Sequence, residues 1–175
     1  MKQFLFILSF NVLFGNYSII QSDSKVEYIG IHPIHKFSGF SSSITLFNIC
    51  DEKDNFCDLT FKIPIMSLNS GNDNRDSNML NYLNAFRYPE ITLKIKNFHI
   101  KEYRDESILS EVYIHGIQKE IKIPITLGID DKQYKVSSSF DIQLDDFNIP
   151  IPKLLFIPIS NTIKISVELL IENEN

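Results

Sequence analysis

The chain lacks the short motifs that carry most chemistry. It has no G-x-S-x-G nucleophile turn, no H-E-x-x-H zinc helix and no glycine-rich phosphate loop. Lys and Arg are scattered among acids rather than clustered, and the formal net charge is −5, so no nucleic-acid surface is expected. Tryptophan is absent, and neither a repeat nor a low-complexity tract stands out. Oxygen-bearing side chains crowd Asn69–Asn78, but without the Asp/Asn spacing, glycine and terminal glutamate of a calcium loop. Asp145 and Asp146 are adjacent carboxylates that read as solvated turn residues. His32 and His35 form an H-x-x-H pair, yet they straddle Pro33 in an extended segment, so their directions diverge and no third metal ligand is evident. His99 and His115 are isolated histidines on strands. Nothing here argues for an enzyme, a required cofactor or a metal.

The first apolar run is also too short to span a membrane. Lys2 precedes Phe4–Phe14, which is apolar except for Ser9 and Asn11. As a helix it would reach only about 16 Å, against about 30 Å of bilayer core. A positive start followed by such a run reads as a secretory signal over residues 1–18, with Gly15 or Ser18 before the cut. A buried N-terminal strand is the alternative. Residues 19–175 then form one domain, periplasmic or secreted. Only two cysteines are present, Cys50 and Cys57, flanking a polar stretch between two strand-like runs. In an exported chain they are expected to bridge a hairpin; a pair of free thiols is the rival.

What is abundant is a period of two. Ile121, Ile123, Ile125, Leu127 and Ile129 alternate with Lys122, Pro124, Thr126 and Gly128. The same alternation runs through Leu59–Ile65, Ile91–Ile95, Val136–Leu144 and Ile163–Ile171. A strand sends successive side chains to opposite faces, so each run offers one greasy face. About eight strands are expected: residues 24–31, 35–50, 57–65, 91–100, 108–117, 120–129, 133–144 and 162–171. Short turns between the later strands suit an antiparallel meander, as a sandwich or a closed barrel. Pro64 and Pro124 mark a strand edge, a bulge or a strand end.

One segment breaks the period. Asn72, Asp73 and Asn74 offer capping side chains, and Asp76 adds negative charge to a first helical turn. Met79, Leu80, Leu83 and Phe86 follow at helical spacing, and Pro89 is expected to end the helix. A lone helix with one apolar stripe would cap one end of the barrel.

Two longer stretches go beyond generic composition. One is Asn74-Arg75-Asp76-Ser77-Asn78-Met79-Leu80 with Ala85-Phe86-Arg87-Tyr88-Pro89-Glu90-Ile91. The other is Asp146-Phe147-Asn148-Ile149-Pro150, running on to Leu154-Leu155-Phe156-Ile157-Pro158. With Ser24-Lys25-Val26, the His32–Gly39 segment and His115-Gly116-Ile117, they resemble the YceI-like family of exported, polyisoprenoid-binding proteins. The resemblance covers nearly all of the chain after the signal. Phe37 stands where the family often has tryptophan, and Asn148 where it has a glycine-like turn. The resemblance implies an all-β fold: an eight-stranded antiparallel, extended-lipocalin-like barrel with one capping helix and an elongated tunnel. It implies an isoprenoid or quinone-like ligand and no catalysis.

The residues and the resemblance agree on an apolar lining. Phe37, Phe61, Ile63, Ile95, Ile114 and Phe140 are expected in its walls. Met79, Leu80 and Leu83 are expected as a lid, with Phe147 and Leu155 on the opposite side of the mouth. Asn74, Arg75, Asp76, Tyr88 and Pro89 are expected to be structural. Such a lining cannot reward a sugar or nucleotide, whereas an isoprenoid tail leaves no hydrogen bond unmet. Each buried methylene contributes about 0.8 kcal/mol. The partners expected are an apolar lipid, a membrane touched transiently and, compatibly, a second copy. The competing readings are a stress or structural protein whose barrel is filled by side chains, and an enzyme acting on isoprenoid lipids.

Overall fold

The structure is a computed structural model that describes residues 17–51, 56–99, 107–130, 132–154 and 156–173. Residues 1–16 of the segment expected as a signal, and Leu155, therefore lie outside the described residues, whereas Tyr17 and Ser18 of that segment belong to a strand of the domain. Thirteen strand segments carry the fold among the described residues. In chain order these are β1 Tyr17–Ile19, β2 Lys25–Ile31, β3 Lys36–Ser41, β4 Thr45–Asp51, β5 Phe56–Pro64, β6 Glu90–His99 and β7 Ser107–Ile114. Then come β8 Ile117–Pro124, β9 Thr126–Asp130, β10 Gln133–Gln143, β11 Lys153–Leu154, β12 Ile157–Pro158 and β13 Thr162–Asn173.

Every pairing between these strands is antiparallel. One sheet runs β3-β2-β13-β10-β9 with β1 beside β13; a second runs β4-β5-β6-β7-β8. The chain joins the sheets at two corners, through Ser42–Ile44 between β3 and β4 and through Ile125 between β8 and β9. Counting each bent pair as one strand gives eight strands around an interior. The runs 35–50 and 120–129, read as single strands, are these bent pairs. Pro124 explains one bend: it lacks an N–H for the ladder, so pairing changes sheets there. The Ser138 hydroxyl donates to the Pro124 carbonyl at 2.6 Å and satisfies it at the corner. β1 and the two-residue ribbon β11-β12 are too short for periodicity to reveal.

Alternation places the greasy faces inward. Ile163 and Ile171 of β13, Ile142 of β10, and Leu59 and Phe61 of β5 are buried in one core. Ile129 does not share this burial, being 59% exposed at the end of the edge strand β9. A bulge shifts the register between β5 and β6 near Cys57 and Leu59. Asn97 sits there in the left-handed region at φ 51°, and its N–H donates to Asp58 Oδ1 at 2.9 Å. The extra residue switches the inward positions of β6 from the odd series ending at Ile95 to Phe98.

Cys50 and Cys57 are direct partners in the β4-β5 ladder and form a disulfide, with Cα atoms 4.0 Å apart. That is the bridged reading of the two cysteines. β7 and β8 meet in a two-residue turn whose central residues, His115 at φ 53° and Gly116 at φ 78°, are both left-handed. This is the turn whose twist matches that of the strands. The Tyr88 ring lies over Gly116, where a Cβ would come within 2.5 Å of it. His115 Nδ1–H donates to the Phe147 carbonyl at 3.1 Å.

The helix, α1, spans Asp73–Tyr82. Asn72 is its N-cap, accepting the Arg75 N–H at 3.0 Å. Asp76 instead accepts the Ser70 N–H through both oxygens at 3.2 Å, and the Ser70 hydroxyl as well. It therefore ties the helix to the preceding loop. The helix ends before Pro89 has any effect. Asn84 takes φ 48°, its N–H donates to the Asn81 carbonyl and the Ala85 N–H to the Leu80 carbonyl, a left-handed C-terminal cap. Phe86 consequently falls outside the helix and is fully exposed rather than part of the stripe. Pro89 instead closes the excursion: its carbonyl accepts the Ile65 N–H at 2.8 Å, joining the segment's two ends.

Candidate functional site

The interior encloses a cavity of about 720 Å³. That lies within the range of about 300–1,000 Å³ typical of small-molecule sites. Eight-stranded barrels are either filled by side chains or left with room for a ligand, and this one has room. Its wall is built from the inward positions of the strands: Val136, Phe140 and Ile142 from β10, Ile165, Val167 and Leu169 from β13, Leu93 and Ile95 from β6.

Polar groups concentrate at one end. Two hairpin connections and the helix meet there. The β2-β3 turn is closed by reciprocal backbone bonds between His32 and His35, at 2.9 and 3.1 Å. The β11-β12 ribbon is tied to it by the Ser160 N–H donating to the Ile31 carbonyl at 2.7 Å. The lining here includes His32, His35, Asn74, Arg75, Asn78 and Lys153. Sequence explains how the rings fit. Tyr28 is paired with Gly39, and Gly30 with Phe37, so each aromatic ring lies across a residue with no side chain. A Cβ at Gly30 would collide with the Phe37 ring. The Arg75 guanidinium stands 5.3 Å from the centre of that ring, at cation–π distance.

Electrostatics at this end are set by burial. Burial pushes the Tyr28 phenol above its ordinary value of 10.0. The Asp76 carboxylate adds to the rise, while Ser70 and Arg75 oppose it. The Ser70 hydroxyl is itself turned to Asp76, and the Tyr28 hydroxyl has no partner of sound geometry among the described residues. Farther along, Tyr17 and Tyr134 line the cavity with ring centres 5.7 Å apart. Burial raises the Tyr17 phenol, and Tyr134 raises it further.

The structure brings together Phe37, Phe61, Ile63, Met79, Leu83, Ile95, Ile114 and Phe140 around the cavity. Leu80 and Phe147 do not reach it. Leu80 is half-buried on a flank of the helix, and Leu83 lines the cavity from just past the last turn. Phe147 is 1% exposed, packed in the core beside the β7-β8 turn instead of walling the mouth. Asn74 and Arg75, expected to be structural, also line the mouth. Tyr17, Tyr28, Tyr134 and Ile44 are lining residues that the sequence reading did not single out. Tyr28 carried a usable signal, since it alternates with Val26 along β2. No group of three or more His, Cys, Asp or Glu among the described residues is placed to hold a metal, and His32 and His35 stack at 5.4 Å between ring centres.

An antiparallel barrel with one capping helix and an apolar cavity open at a mouth defines a class: the lipocalin-like fold. More specifically, the chain belongs to the YceI-like family, whose domain matches residues 17–171. Solved structures share the fold at low identity. BcnA of Burkholderia cenocepacia is 14% identical and aligns over 87% of this chain and 99% of its own, with a TM-score of 0.73. A polyisoprenoid-binding domain from Saccharophagus degradans, implicated in plant cell wall breakdown, is 15% identical over 91% of this chain and 99% of its own, with a TM-score of 0.71. The YceI protein of Campylobacter jejuni is 21% identical over 73% of this chain and 80% of its own, with a TM-score of 0.58. No curated protein matches in sequence.

Proposed function

We propose that the protein is a non-catalytic carrier that binds, sequesters or transports an isoprenoid or similar long apolar lipid within the cell envelope. One observation carries this reading: a cavity of about 720 Å³ whose walls are almost wholly aliphatic and aromatic. Such walls favour hydrocarbon in proportion to the area buried and offer a sugar or nucleotide few partners. Family membership and the fold shared with a polyisoprenoid-binding domain support the ligand class.

The N-terminal run acts as a cleaved signal in this proposal, cut after Gly15 so that strand β1 is kept, delivering the domain to the periplasm or outside the cell. The Cys50–Cys57 disulfide suits an oxidising compartment. Loading and release take place at the helix end, where Ile34 and Phe156 stand 71% and 96% exposed on the two hairpin tips beside the mouth. These tips touch the membrane transiently, which spares the tail a passage through water.

The test is transfer. Purified protein is incubated with vesicles carrying a tritiated polyprenyl alcohol and then separated by flotation. Label recovered with the protein, saturating near one lipid per chain, is expected. Label that stays wholly with the vesicles at every protein concentration would remove the carrier reading.

A further inference from the structure

The cavity wall is apolar, but its mouth is chemically one-sided. No Asp or Glu lines the cavity among the described residues, although the chain carries a net charge of −5. The two charged residues that line it, Arg75 and Lys153, are both cations, and both can only donate hydrogen bonds.

His32 adds a directional element. It lines the same mouth and is 3% exposed. The Ile34 N–H donates to its Nδ1 at 3.3 Å, so Nδ1 carries a lone pair. In the neutral ring the proton then resides on Nε2. That Nε2–H is buried and has no partner among the described residues. A buried donor left unmet is costly, and native structures rarely tolerate one without a reason. The Tyr28 hydroxyl, also buried and without a sound partner among the described residues, lines the cavity from the strand that leads into the His32 turn.

We infer that the mouth is a head-group site in which His32 Nε2–H, flanked by Arg75 and Lys153, donates to an oxygen acceptor on the lipid's polar end. The inference rests on the lipid-binding reading above and narrows it. The ligand is an apolar chain ending in a hydroxyl, ether, carbonyl or phosphate oxygen. A hydrocarbon without a head leaves the donor unmet, and an amine head meets two cations, while the nearby Asp76 carboxylate does not line the cavity and is held by the Ser70 N–H and hydroxyl. Selectivity for the tail is loose, because the walls are uniform; selectivity for the head comes from donors fixed at the mouth. His32 is suited to the task because its turn holds it: the backbone bonds to His35 and the Nδ1 bond to Ile34 fix the ring before any ligand arrives.

Four probes with one tail separate these effects. They are farnesol, farnesyl methyl ether, farnesyl phosphate and the hydrocarbon farnesene, with farnesylamine as a control. Affinities are read by competition against an environment-sensitive fluorescent lipid on the full mature chain. The wild type is expected to bind the alcohol and the ether, which share an acceptor, about tenfold tighter than farnesene, the scale of one buried hydrogen bond. The phosphate should bind at least as tightly, and the amine no better than farnesene. His32→Leu should collapse the preference of alcohol and ether over farnesene from about tenfold to within about twofold, read as the ratio of affinities on the same variant. His32→Gln, which can restore an N–H near the Nε2 position, should retain it.

Equal affinity of the wild type for ether and hydrocarbon would overturn the head-group site while leaving the lipid carrier intact. Failure of every probe to bind would overturn the carrier reading itself. Should His32→Leu fail to fold, the imidazole ¹⁵N spectrum of the wild type decides the matter. The Nε2–H tautomer, with an Nε2 resonance that moves on adding the ether but not farnesene, supports the site. A proton on Nδ1, or no movement with the ether, would overturn it.

Discussion

Replacing Ile95 with phenylalanine separates a hollow barrel from a packed core on a single sample. Ile95 is 4% exposed and lines the cavity from β6, between Leu93 and the bulge at Asn97. The substitution adds about three heavy atoms, and phenylalanine keeps a good strand propensity. Those atoms occupy cavity space otherwise available to about three methylenes of a ligand. At about 0.8 kcal/mol each, the loss is about 2.4 kcal/mol, or roughly fiftyfold in affinity for a tail long enough to reach Ile95. A shorter tail that stops before it loses nothing. In the lipid-free protein the new ring fills open volume, so the melting temperature should shift by no more than about 2 °C. In a fully packed interior the same ring would overpack and cost about 1–3 kcal/mol. The assay is a titration of polyprenyl alcohols of increasing length against wild type and variant, with thermal denaturation of the delipidated proteins alongside. A clear loss of stability together with unchanged affinity for every tail would refute the reasoning.

Other expectations follow from the same structure. Reducing the Cys50–Cys57 bridge should destabilise the protein by about 2–3 kcal/mol, the scale for a short closed loop, read as a lower midpoint in denaturant with reductant present. Two reactive thiols in unreduced, denatured protein from an oxidising compartment would contradict the bridge. Asp76→Ala removes the acceptor for the Ser70 N–H and hydroxyl, and should cost about 1–2 kcal/mol in chemical denaturation. It should leave lipid affinity within a fewfold, since Asp76 does not line the cavity; abolished binding with unchanged stability would instead make it a ligand contact. The intact mass of protein from the native envelope fraction should lack about the first fifteen to twenty residues, the usual length range of a cleaved signal. A mass that retains Phe4–Phe14 would refute export by cleavage.

Most of the wall was legible because period-two alternation is a direct statement of which side chains face inward. Phe61, Ile63, Ile95 and Phe140 follow from it without further information. What alternation cannot give is where a run bends. The corner at Ser42–Ile44 carries no break in the pattern, and at Ile125 the adjoining Pro124 signals an edge, a bulge or a strand end without saying which, so eight runs became two sheets joined by bent strands. The bulge at Asn97 is equally silent, since its cause is a left-handed asparagine bonded across the ladder to Asp58.

The helix end was misjudged for a related reason. A proline is a conspicuous stop in a sequence, whereas an asparagine becomes one only when it adopts the left-handed conformation. Asn84 does so just past Tyr82, and the cap is completed by backbone bonds to the Leu80 and Asn81 carbonyls. The chain has already turned, so Pro89 has nothing left to stop. Phe147 shows the opposite limit. It stands in a proline-bounded, irregular segment that reads as a mouth, yet the left-handed cap at Asn148 folds it into the core.

The polar end of the cavity was the least legible part. His32, Arg75 and Lys153 are far apart in sequence and lie on a turn, a helix and a two-residue ribbon. No spacing rule joins them, and only the packing of the ribbon and the helix around the β2-β3 turn places them at one mouth. The glycines that make room are visible in the sequence, but their partners are not. Gly30 matters because Phe37 crosses it, and Gly39 because Tyr28 does.

The central claim is that the interior holds a long apolar lipid. The most direct measurement is organic extraction of the protein purified from its native envelope without detergent, followed by mass spectrometry of the extract and quantitation against protein. The account predicts one dominant class of long-chain lipid with an oxygen-bearing head, recovered at close to one molecule per chain. An extract with no lipid above background, from protein that also fails to take up a polyprenyl alcohol when offered one, would contradict it.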